Sequence, residues 1–214
     1  MALGLDHLVV AARTLEEGGA WVEARLGVAP VPGGKHATMG THNRLLALGR
    51  GQYLEVIAVD PAAAAPQRPR WFGLDSNAMR ARLAAGPALI HWVVRTDDIT
   101  RAIEATGCKH CEVLSLSRGN FRWRIGVPPS GSLAGSGIVP TVIQWDGGGH
   151  PSDFLPDTAC RLQSLELRGP ESEPLLRTLR AAGLDAQDPL EARSEGRGLA
   201  ARIRTPRGIV ALAE

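Results

Sequence analysis

Two short apolar segments each carry one histidine at their third position. Leu5–Val10 reads LDHLVV, and Leu89–Val94 reads LIHWVV. Because side chains alternate between the two faces of a strand, we expect His7 on the face opposite Asp6. The same alternation places His91 with Leu89 and Val93. An imidazole in such a strand is either a hydrogen-bonded core residue or a ligand.

The closing strand of each copy carries one further polar residue, Glu55 in the first copy and Gln144 in the second. The four residues that match between the copies are His7, Glu55, His91 and Gln144. Without partners, such groups would be costly to bury, so we expect them to share one. A divalent metal bound through imidazole nitrogen and side-chain oxygen is the most economical partner. Hydrogen bonds among the four residues are the alternative.

One order of elements, a strand followed by a helix and then further strands, occurs three times. In the first copy Thr14 and Glu17 predict a capping box before a helix that Gly27 ends. In the second, Asp97 or Thr96 is the expected cap. In the third copy Ser172 is the expected N-cap, with Pro174 in the first turn and Gly183 at the stop. Short helices and alternating strands predict an α+β fold.

The copies divide the chain into four parts. We predict a first βαβββ module at residues 1–60, a linker at 61–87, a second module at 88–150 and a degenerate βαββ unit at 151–214. The third unit has Ser164 at the opening position and a residue near Ala211 at the closing one. A structural repeat therefore does not by itself require His and Glu there.

Two pairs of residues are candidates for binding an anionic substrate. GTHNR places His42 and Arg44 just before a strand, either in a turn or at a cleft rim with His42 as acid or base and Arg44 as anion anchor. Arg122 and Arg124 share a strand face opposite Trp123. Solvated arginines over a packed indole are the preferred interpretation, and a guanidinium pair facing the cleft is the alternative.

His150 and the cysteines allow two interpretations each. His150, in GGGHPSD, is either a solvated loop residue or one that folds over the cleft. Cys108 and Cys111 form a C-x-x-C at a helix end, with no second pair to complete a zinc site. We interpret them as incidental, since three cysteines do not predict a disulfide framework.

Composition narrows the class of protein. The 214 residues carry 24 Lys and Arg against 22 Asp and Glu, a net charge of +2. This balance gives no reason to expect a nucleic-acid or membrane partner. No segment approaches the roughly 20 apolar residues of a membrane span, and the N-terminus does not read as a signal peptide. A reduced, cytoplasmic protein is expected.

The chain resembles the vicinal oxygen chelate superfamily, and more narrowly its glyoxalase-like branch. The matching segments are LDHLVV, GTHNRLLALG with YLEVIAVDP, PRWFG, LIHWVVRTDD and VIQWDGGGHP, and the similarity continues through CRLQSLELR. The resemblance implies paired βαβββ modules that curl around a cleft. It also implies metal ligands at His7, Glu55, His91 and Gln144. The departure is Gln144, where a metal-binding member usually has Glu.

The resemblance implies an activity as well. A zinc, nickel, manganese or iron ion would chelate vicinal oxygens of a small-molecule substrate, and Glu55, or a nearby histidine such as His42 or His150, would move the proton. We therefore predict a divalent-metal-dependent isomerase, epimerase or lyase. The alternative is a metal-free protein that binds or sequesters a small molecule, which the neutral Gln144 favours. A homodimer is possible within this family.

Overall fold

Two βαβββ modules form one eight-stranded sheet in the computed structural model, which describes residues 1–108, 110–147 and 149–213. The first module comprises β1 (Leu3–Ala11), α1 (Leu15–Leu26), β2 (Val31–His36), β3 (Thr41–Gly49) and β4 (Gln52–Val59). A linker with α2 (Asn77–Ala84) follows. The second module comprises β5 (Ala88–Thr96), α3 (Ile99–Thr106), β6 (Glu112–Arg118), β7 (Phe121–Val127) and β8 (Thr141–Gly147).

The sheet joins the modules through their opening strands. Its order is β2-β3-β4-β1-β5-β8-β7-β6, and β1 pairs with β5 in antiparallel fashion. Within each module the opening and closing strands pair in parallel, β1 with β4 and β5 with β8. The same internal order on both sides of the β1–β5 seam confirms the predicted α+β fold with paired modules.

The helix boundaries follow the local capping chemistry. Thr14 Oγ1 accepts a hydrogen bond from Glu17 N–H at 3.1 Å, and Gly27 ends α1 in the left-handed region with φ 74°. These features confirm the predicted first helix. In α3 the cap is Asp98, which accepts from Arg101 N–H, one or two residues beyond the predicted caps.

The third unit departs from the modules in strand order. It comprises β9 (Arg161–Arg168), α4 (Ser172–Ala181), β10 (Leu190–Arg193), β11 (Gly198–Thr205) and β12 (Gly208–Ala213). Its sheet has the order β10-β9-β11-β12, with β9 and β10 parallel. The sequence predicted no strand at β10, since four residues with Leu190 as the one large apolar side chain show no alternation.

Two further features differ from the sequence predictions. The linker region 61–87 contains α2. The Ser76 side chain caps the N-terminus of this helix, because it accepts a hydrogen bond from Met79 N–H at 3.1 Å. Cys108 and Cys111 are joined in a disulfide instead of being incidental thiols, since their Cα atoms lie 5.4 Å apart, within the usual range. Among the described residues, no helix is long and apolar enough to cross a membrane.

The apolar core has two parts, one on each face of the eight-stranded sheet. The outer part lies between the sheet, its helices and the third unit, and includes Leu5, Leu8 and Val10. The inner part includes Val9 and Ile57. Because both faces of β1 and β4 are buried, these strands read as nearly continuous apolar runs.

Candidate active site

A narrow cavity lies on the inner face of the eight-stranded sheet. Its polar lining consists of His7, His36, Asn43, Tyr53, Glu55 and Arg118, and indole rings supply much of the remaining wall. Arg118 ends one edge strand and donates to Asn43 beside the other edge at 3.2 Å, so the sheet curls around this space. The cavity measures about 30 Å³, room for about two water-sized groups.

Asp6 and His7 form a buried carboxylate–imidazole pair. Asp6 Oδ1 lies 2.6 Å from His7 Nδ1, and both side chains are nearly inaccessible to solvent. The pairing of β1 with β5 shifts register between Leu5 and His7, which marks a bulge at Asp6. Bulges re-aim side chains, so the regular alternation expected along this strand is interrupted at Asp6. Leu5 lies in the outer core, while His7 lines the inner cavity.

Three donors hold Asp6. Besides His7, Trp145 Nε1 and His150 Nε2 each lie 3.0 Å from Asp6 Oδ2. Burial alone would raise the pKa of Asp6, but the hydrogen bonds from His150 and His7 outweigh it and hold the pKa well below its ordinary value. Asp6 is therefore a fixed anion that keeps the His7 ring proton on Nδ1.

His150 reaches this pair from the loop after β8. Ser152 N–H donates to His150 Nδ1 at 3.3 Å, which leaves the His150 ring proton on Nε2, directed at Asp6. His150 does not line the cavity itself. The structure thus places it behind Asp6, where it contacts the carboxylate and not the cavity.

Glu55 faces His7 across the cavity. Glu55 Oε2 lies 3.6 Å from His7 Nε2, too far for a direct hydrogen bond. Tyr53, two residues earlier on β4, stacks on the His7 ring with centroids 4.6 Å apart. Burial raises the pKa of Tyr53 well above its ordinary value, and the negative charges of Asp6 and Glu55 add to the effect. The phenol therefore stays neutral. His7 Nε2 and Glu55 Oε2 both face the same small cavity.

Asn43 fixes the other oxygen of Glu55. Its Nδ2 donates to Glu55 Oε1 at 2.6 Å, while its Oδ1 accepts from Gly34 N–H at 2.9 Å and from Arg118. Because each end of the amide has a matching partner, its orientation is determined. Arg118 thus brings a positive charge to the cavity that already holds the Glu55 carboxylate.

His36 completes the polar lining from the end of β2. Its Nδ1 lies 3.0 Å from Thr41 Oγ1, and its ring meets Trp71 edge-on at 5.0 Å. Burial lowers the pKa of His36 to about 3, assisted by the charge of Arg118. A histidine of this kind is neutral at physiological pH and does not carry charge into the cavity.

His91 also faces inward, but it lines a different cavity. Trp71 and Phe72 line both spaces and so lie between His91 and His7. His91 Nε2 accepts from Thr141 N–H at 3.1 Å, and its Nδ1 lies 3.1 Å from the Gly137 carbonyl oxygen. Burial lowers the pKa of His91 to about 3. Both ring nitrogens are therefore occupied by protein groups.

Gln144 lies on the outer face of β8. Its neighbours Ile143 and Trp145 line the cavity, whereas Gln144 Oε1 accepts from Ile99 N–H at 3.0 Å, at the start of α3. The structure therefore does not bring Gln144 to the cavity. Only His7 and Glu55, of the four predicted ligands, share one space.

This arrangement does not fit a divalent metal held by the four predicted ligands. The lone pair of His91 Nε2 and the carbonyl oxygen of Gln144 are engaged by backbone N–H donors. Within the part of the chain that the structure describes, no group of three or more His, Cys, Asp or Glu side chains is placed to hold a metal. A complete ligand set would require His91 and Gln144, both in the second module, to leave these bonds.

The predicted anion-binding residues lie outside the cavity. His42 and Arg44 flank Asn43 on β3, and side chains alternate along a strand. Because Asn43 lines the cavity, His42 and Arg44 lie on the outer face. There Arg44 lies 3.5 Å from Glu16. The prediction that His42 and Arg44 line a cleft rim therefore differs from the structure. Sequence alone could not tell which face of β3 curls inward.

Arg122 and Arg124 follow the packing interpretation. Between them, Trp123 lines the cavity, and Arg124 forms a bidentate ion pair with Asp146 at 2.8 and 3.0 Å on the opposite face. Arg122 is exposed and donates to the Gly119 carbonyl oxygen at 3.5 Å. Neither guanidinium reaches the cavity.

Four functional candidates were missed by the sequence analysis: Asp6, His36, Asn43 and Arg118. The signal for Asp6 was a carboxylate directly before His7 in an otherwise apolar strand. Asn43 had the signal that it alternates with His42, so one of the two had to face inward. We find no sequence signal for Arg118, because it depends on the closure of the curled sheet.

Comparisons with known proteins agree with this fold. A family model described as a glyoxalase-like domain matches residues 5–183. No curated protein matches the chain. A hypothetical protein from Staphylococcus aureus is similar in structure, with 13% sequence identity over 93% of this chain and 88% of that chain, at a TM-score of 0.57.

Methylmalonyl-CoA epimerases are among the more distant structures. The one from Mycobacterium tuberculosis has 19% identity over 66% of this chain and 86% of that chain, at a TM-score of 0.42. A Streptomyces coelicolor epimerase has 16% identity over 65% and 92%, at 0.40. The Staphylococcus likeness supports the fold alone, and the epimerase likenesses carry no argument about the reaction.

Proposed function

The chain belongs to the glyoxalase-like domain family, and on this premise we propose that it is a proton-transfer enzyme, an isomerase, epimerase or lyase, acting on a small molecule with a carbonyl group. His7 is the base, Asp6 fixes its tautomer, and Glu55 is the second acid–base group. The proposal uses no metal-dependent step, because His91 and Gln144 are committed to other bonds.

The observation that carries the proposal is that no described residue forms a hydrogen bond with His7 Nε2. Asp6 holds the opposite nitrogen at 2.6 Å, which leaves Nε2 as an acceptor facing Glu55 Oε2 at 3.6 Å. A base with a carboxylate behind it and an acid–base group in front is the arrangement that general acid–base catalysis needs. The carboxylates of Asp6 and Glu55 both stabilise the imidazolium that forms when Nε2 takes a proton.

The residues can perform the following sequence. His7 Nε2 removes a proton from the carbon next to the substrate carbonyl, and the electron pair moves onto the carbonyl oxygen. The Arg118 guanidinium lines the same cavity and stabilises that negative oxygen. The proton then returns to carbon from His7, or it passes from His7 Nε2 to the Glu55 carboxylate and from there to carbon, which gives epimerisation or isomerisation.

A metal-free sequestering protein is the second candidate. The observation in its favour is the wall of the cavity, where Trp71, Trp123 and Trp145 form much of the surface. Large rings of this kind bind apolar ligands without any chemical step. Turnover separates the two candidates.

Deuterium exchange tests the proposal. The protein in deuterium oxide is incubated with a panel of α-keto acids, and proton NMR follows loss of the C–H signal next to the carbonyl. We expect exchange with the wild type and a decrease of at least about 100-fold in Glu55→Gln and in His7→Gln. The control, His110→Gln, removes an exposed histidine and should exchange at the wild-type rate.

Two outcomes would contradict the proposal. Exchange that survives in both site variants would show that the protons move elsewhere. A wild type that binds the panel without exchange would favour the sequestering protein.

The cytoplasmic location and the homodimer that the sequence suggested stay predictions.

A further inference from the structure

Aromatic residues are concentrated around one site. The chain has five Trp, three Phe and one Tyr. Trp21 and Trp92 lie elsewhere. Five rings line the cavity: Tyr53, Trp71, Phe72, Trp123 and Trp145. Phe121 contacts Trp145, and Phe154 contacts Phe121. Core packing does not explain this distribution, because the outer core is as extensive and is mainly aliphatic.

Four of these rings form a continuous row from the cavity wall to the surface. Trp123 and Trp145 lie 5.7 Å apart, Trp145 and Phe121 6.1 Å, and Phe121 and Phe154 5.6 Å between ring centroids. Phe154, at the outer end, is 70% exposed. An exposed phenyl ring that continues a row of buried and half-buried rings offers a surface on which another ring can stack.

The size of the cavity determines which part of a ligand enters it. About 30 Å³ holds roughly two water-sized groups, which suffices for a carbonyl or carboxyl group and excludes a six-membered ring. A larger ligand must therefore leave its bulky part outside. The row that ends at Phe154 is the apolar surface available to that part.

Arg118 supplies the charge at the same place. Its guanidinium carbon lies 5.7 Å from the centre of the Phe121 ring, and the side chain also lines the cavity. One of its terminal nitrogens donates to Asn43, and the planar fork retains further N–H donors suited to a carboxylate or phosphate. Positive charge and aromatic surface therefore lie next to each other.

We infer that the ligand of this site is an aromatic anion, whose ring stacks on Phe121 and Phe154 while its acidic group binds Arg118. The inference rests on the proposed function for the chemistry inside the cavity, but it concerns binding alone. It names the class of substrate that the proton-transfer site accepts.

Three matched probes test the inference by isothermal titration calorimetry. Phenylacetate carries a ring and a charge, cyclohexylacetate keeps the charge without the aromatic ring, and phenylacetamide keeps the ring without the charge. We expect phenylacetate to bind at least about threefold more tightly than either of the others, in line with the usual strength of ring pairs and charged hydrogen bonds.

Variants assign the preference to named residues. Phe154→Leu keeps an apolar side chain and should lower the preference for phenylacetate over cyclohexylacetate by about threefold. Arg118→Met should remove the preference for phenylacetate over phenylacetamide. Ile209→Ala is the control, since Ile209 is a comparably exposed apolar residue of β12, in the third unit, and should change neither ratio.

Equal affinities for the three probes, or no binding by any of them, would overturn the inference. The same conclusion follows if Ile209→Ala lowers the ratios as much as Phe154→Leu does. Failure of the proposed function has a different signature: phenylacetate binds with the expected ratios, while phenylpyruvate, an aromatic keto acid, shows no deuterium exchange. Deuterium exchange of small aliphatic keto acids, with no binding preference for the aromatic probe, would support the proposed proton transfer and overturn the inferred class of ligand.

Discussion

Asp6 Oδ1 lies 2.6 Å from His7 Nδ1, although the two residues are neighbours on one strand. On a regular strand their side chains would point to opposite faces. The shift in register between Leu5 and His7 redirects Asp6, so that it contacts His7 and also reaches Trp145 and His150. A local irregularity of the backbone thus creates the oriented base of the candidate site.

Asp6→Asn should remove that base while keeping the size of the side chain. An asparagine amide can donate its N–H to His7 Nδ1, which moves the ring proton to Nε2. We expect deuterium exchange of α-keto acids to fall at least about 100-fold. Nitrogen-15 NMR of the His7 ring reports the tautomer directly.

Asp157→Asn is the matched control for this change, because Asp157 pairs with Arg161 at the surface. It should leave both the exchange rate and the His7 tautomer as in the wild type. Near-normal exchange by Asp6→Asn, with the His7 proton still on Nδ1, would show that Asp6 does not orient the base.

Asn43→Ala and His42→Ala distinguish the site seen in the structure from the one expected from sequence. Asn43 is buried and holds Glu55, Gly34 and Arg118, so its loss should lower the free energy of unfolding by about 1–3 kcal/mol and reduce exchange. His42 lies on the outer face, and its replacement should preserve exchange. Urea denaturation and proton NMR measure the two effects. The reverse pattern would return the catalytic role to His42.

Much of the fold was predictable because its signals are local. Thr14 and Gly27 bound a helix through side-chain capping and a left-handed residue, and both depend on a few neighbouring positions. The repeated strand–helix–strand order then predicted the modules, and the family resemblance implied that two of them pair. The additional strand β10 escaped because four residues are too few to show a period of two.

The site was less predictable because both faces of its strands are buried. In β8 the inner residue Ile143 and the outer residue Val142 are equally apolar, so the pattern does not reveal that Gln144 faces outward. The bulge at Asp6 leaves no trace in composition. Trp71 and Phe72, which separate His91 from His7, come from the linker, and their position depends on tertiary packing.

His91 should make stability depend on pH in a defined direction. Its pKa is about 3 in the folded protein against an ordinary 6.5, so above pH 6.5 neither state binds a proton there. Below pH 6.5 the unfolded chain binds the proton first, and stability is lost at about 1.4 kcal/mol per pH unit until the pH approaches 3. Urea denaturation across this range measures the slope.

His91→Gln should reduce that slope by the contribution of one proton, because a glutamine amide can form the same hydrogen bonds and does not titrate. His110→Gln, an exposed histidine, should leave it unchanged. The buried His36, whose pKa is also lowered to about 3, contributes its own share and keeps part of the slope in His91→Gln. Identical slopes in the wild type and His91→Gln would contradict the assignment of His91 as a buried neutral residue.

Gln144 is a structural residue if its side-chain oxygen accepts the hydrogen bond from Ile99, and a metal ligand if that oxygen binds a metal ion instead. Because Gln144 Oε1 accepts from Ile99 N–H at 3.0 Å, Gln144→Ala should destabilise the protein by about 1 kcal/mol, as loss of a helix cap does, with no change in metal content. Gln144→Glu keeps an acceptor and should retain stability. Urea denaturation and elemental analysis measure both properties. Stoichiometric metal in the wild type that is lost in Gln144→Ala, with stability unchanged, would make Gln144 a ligand and require the two modules to close around the ion.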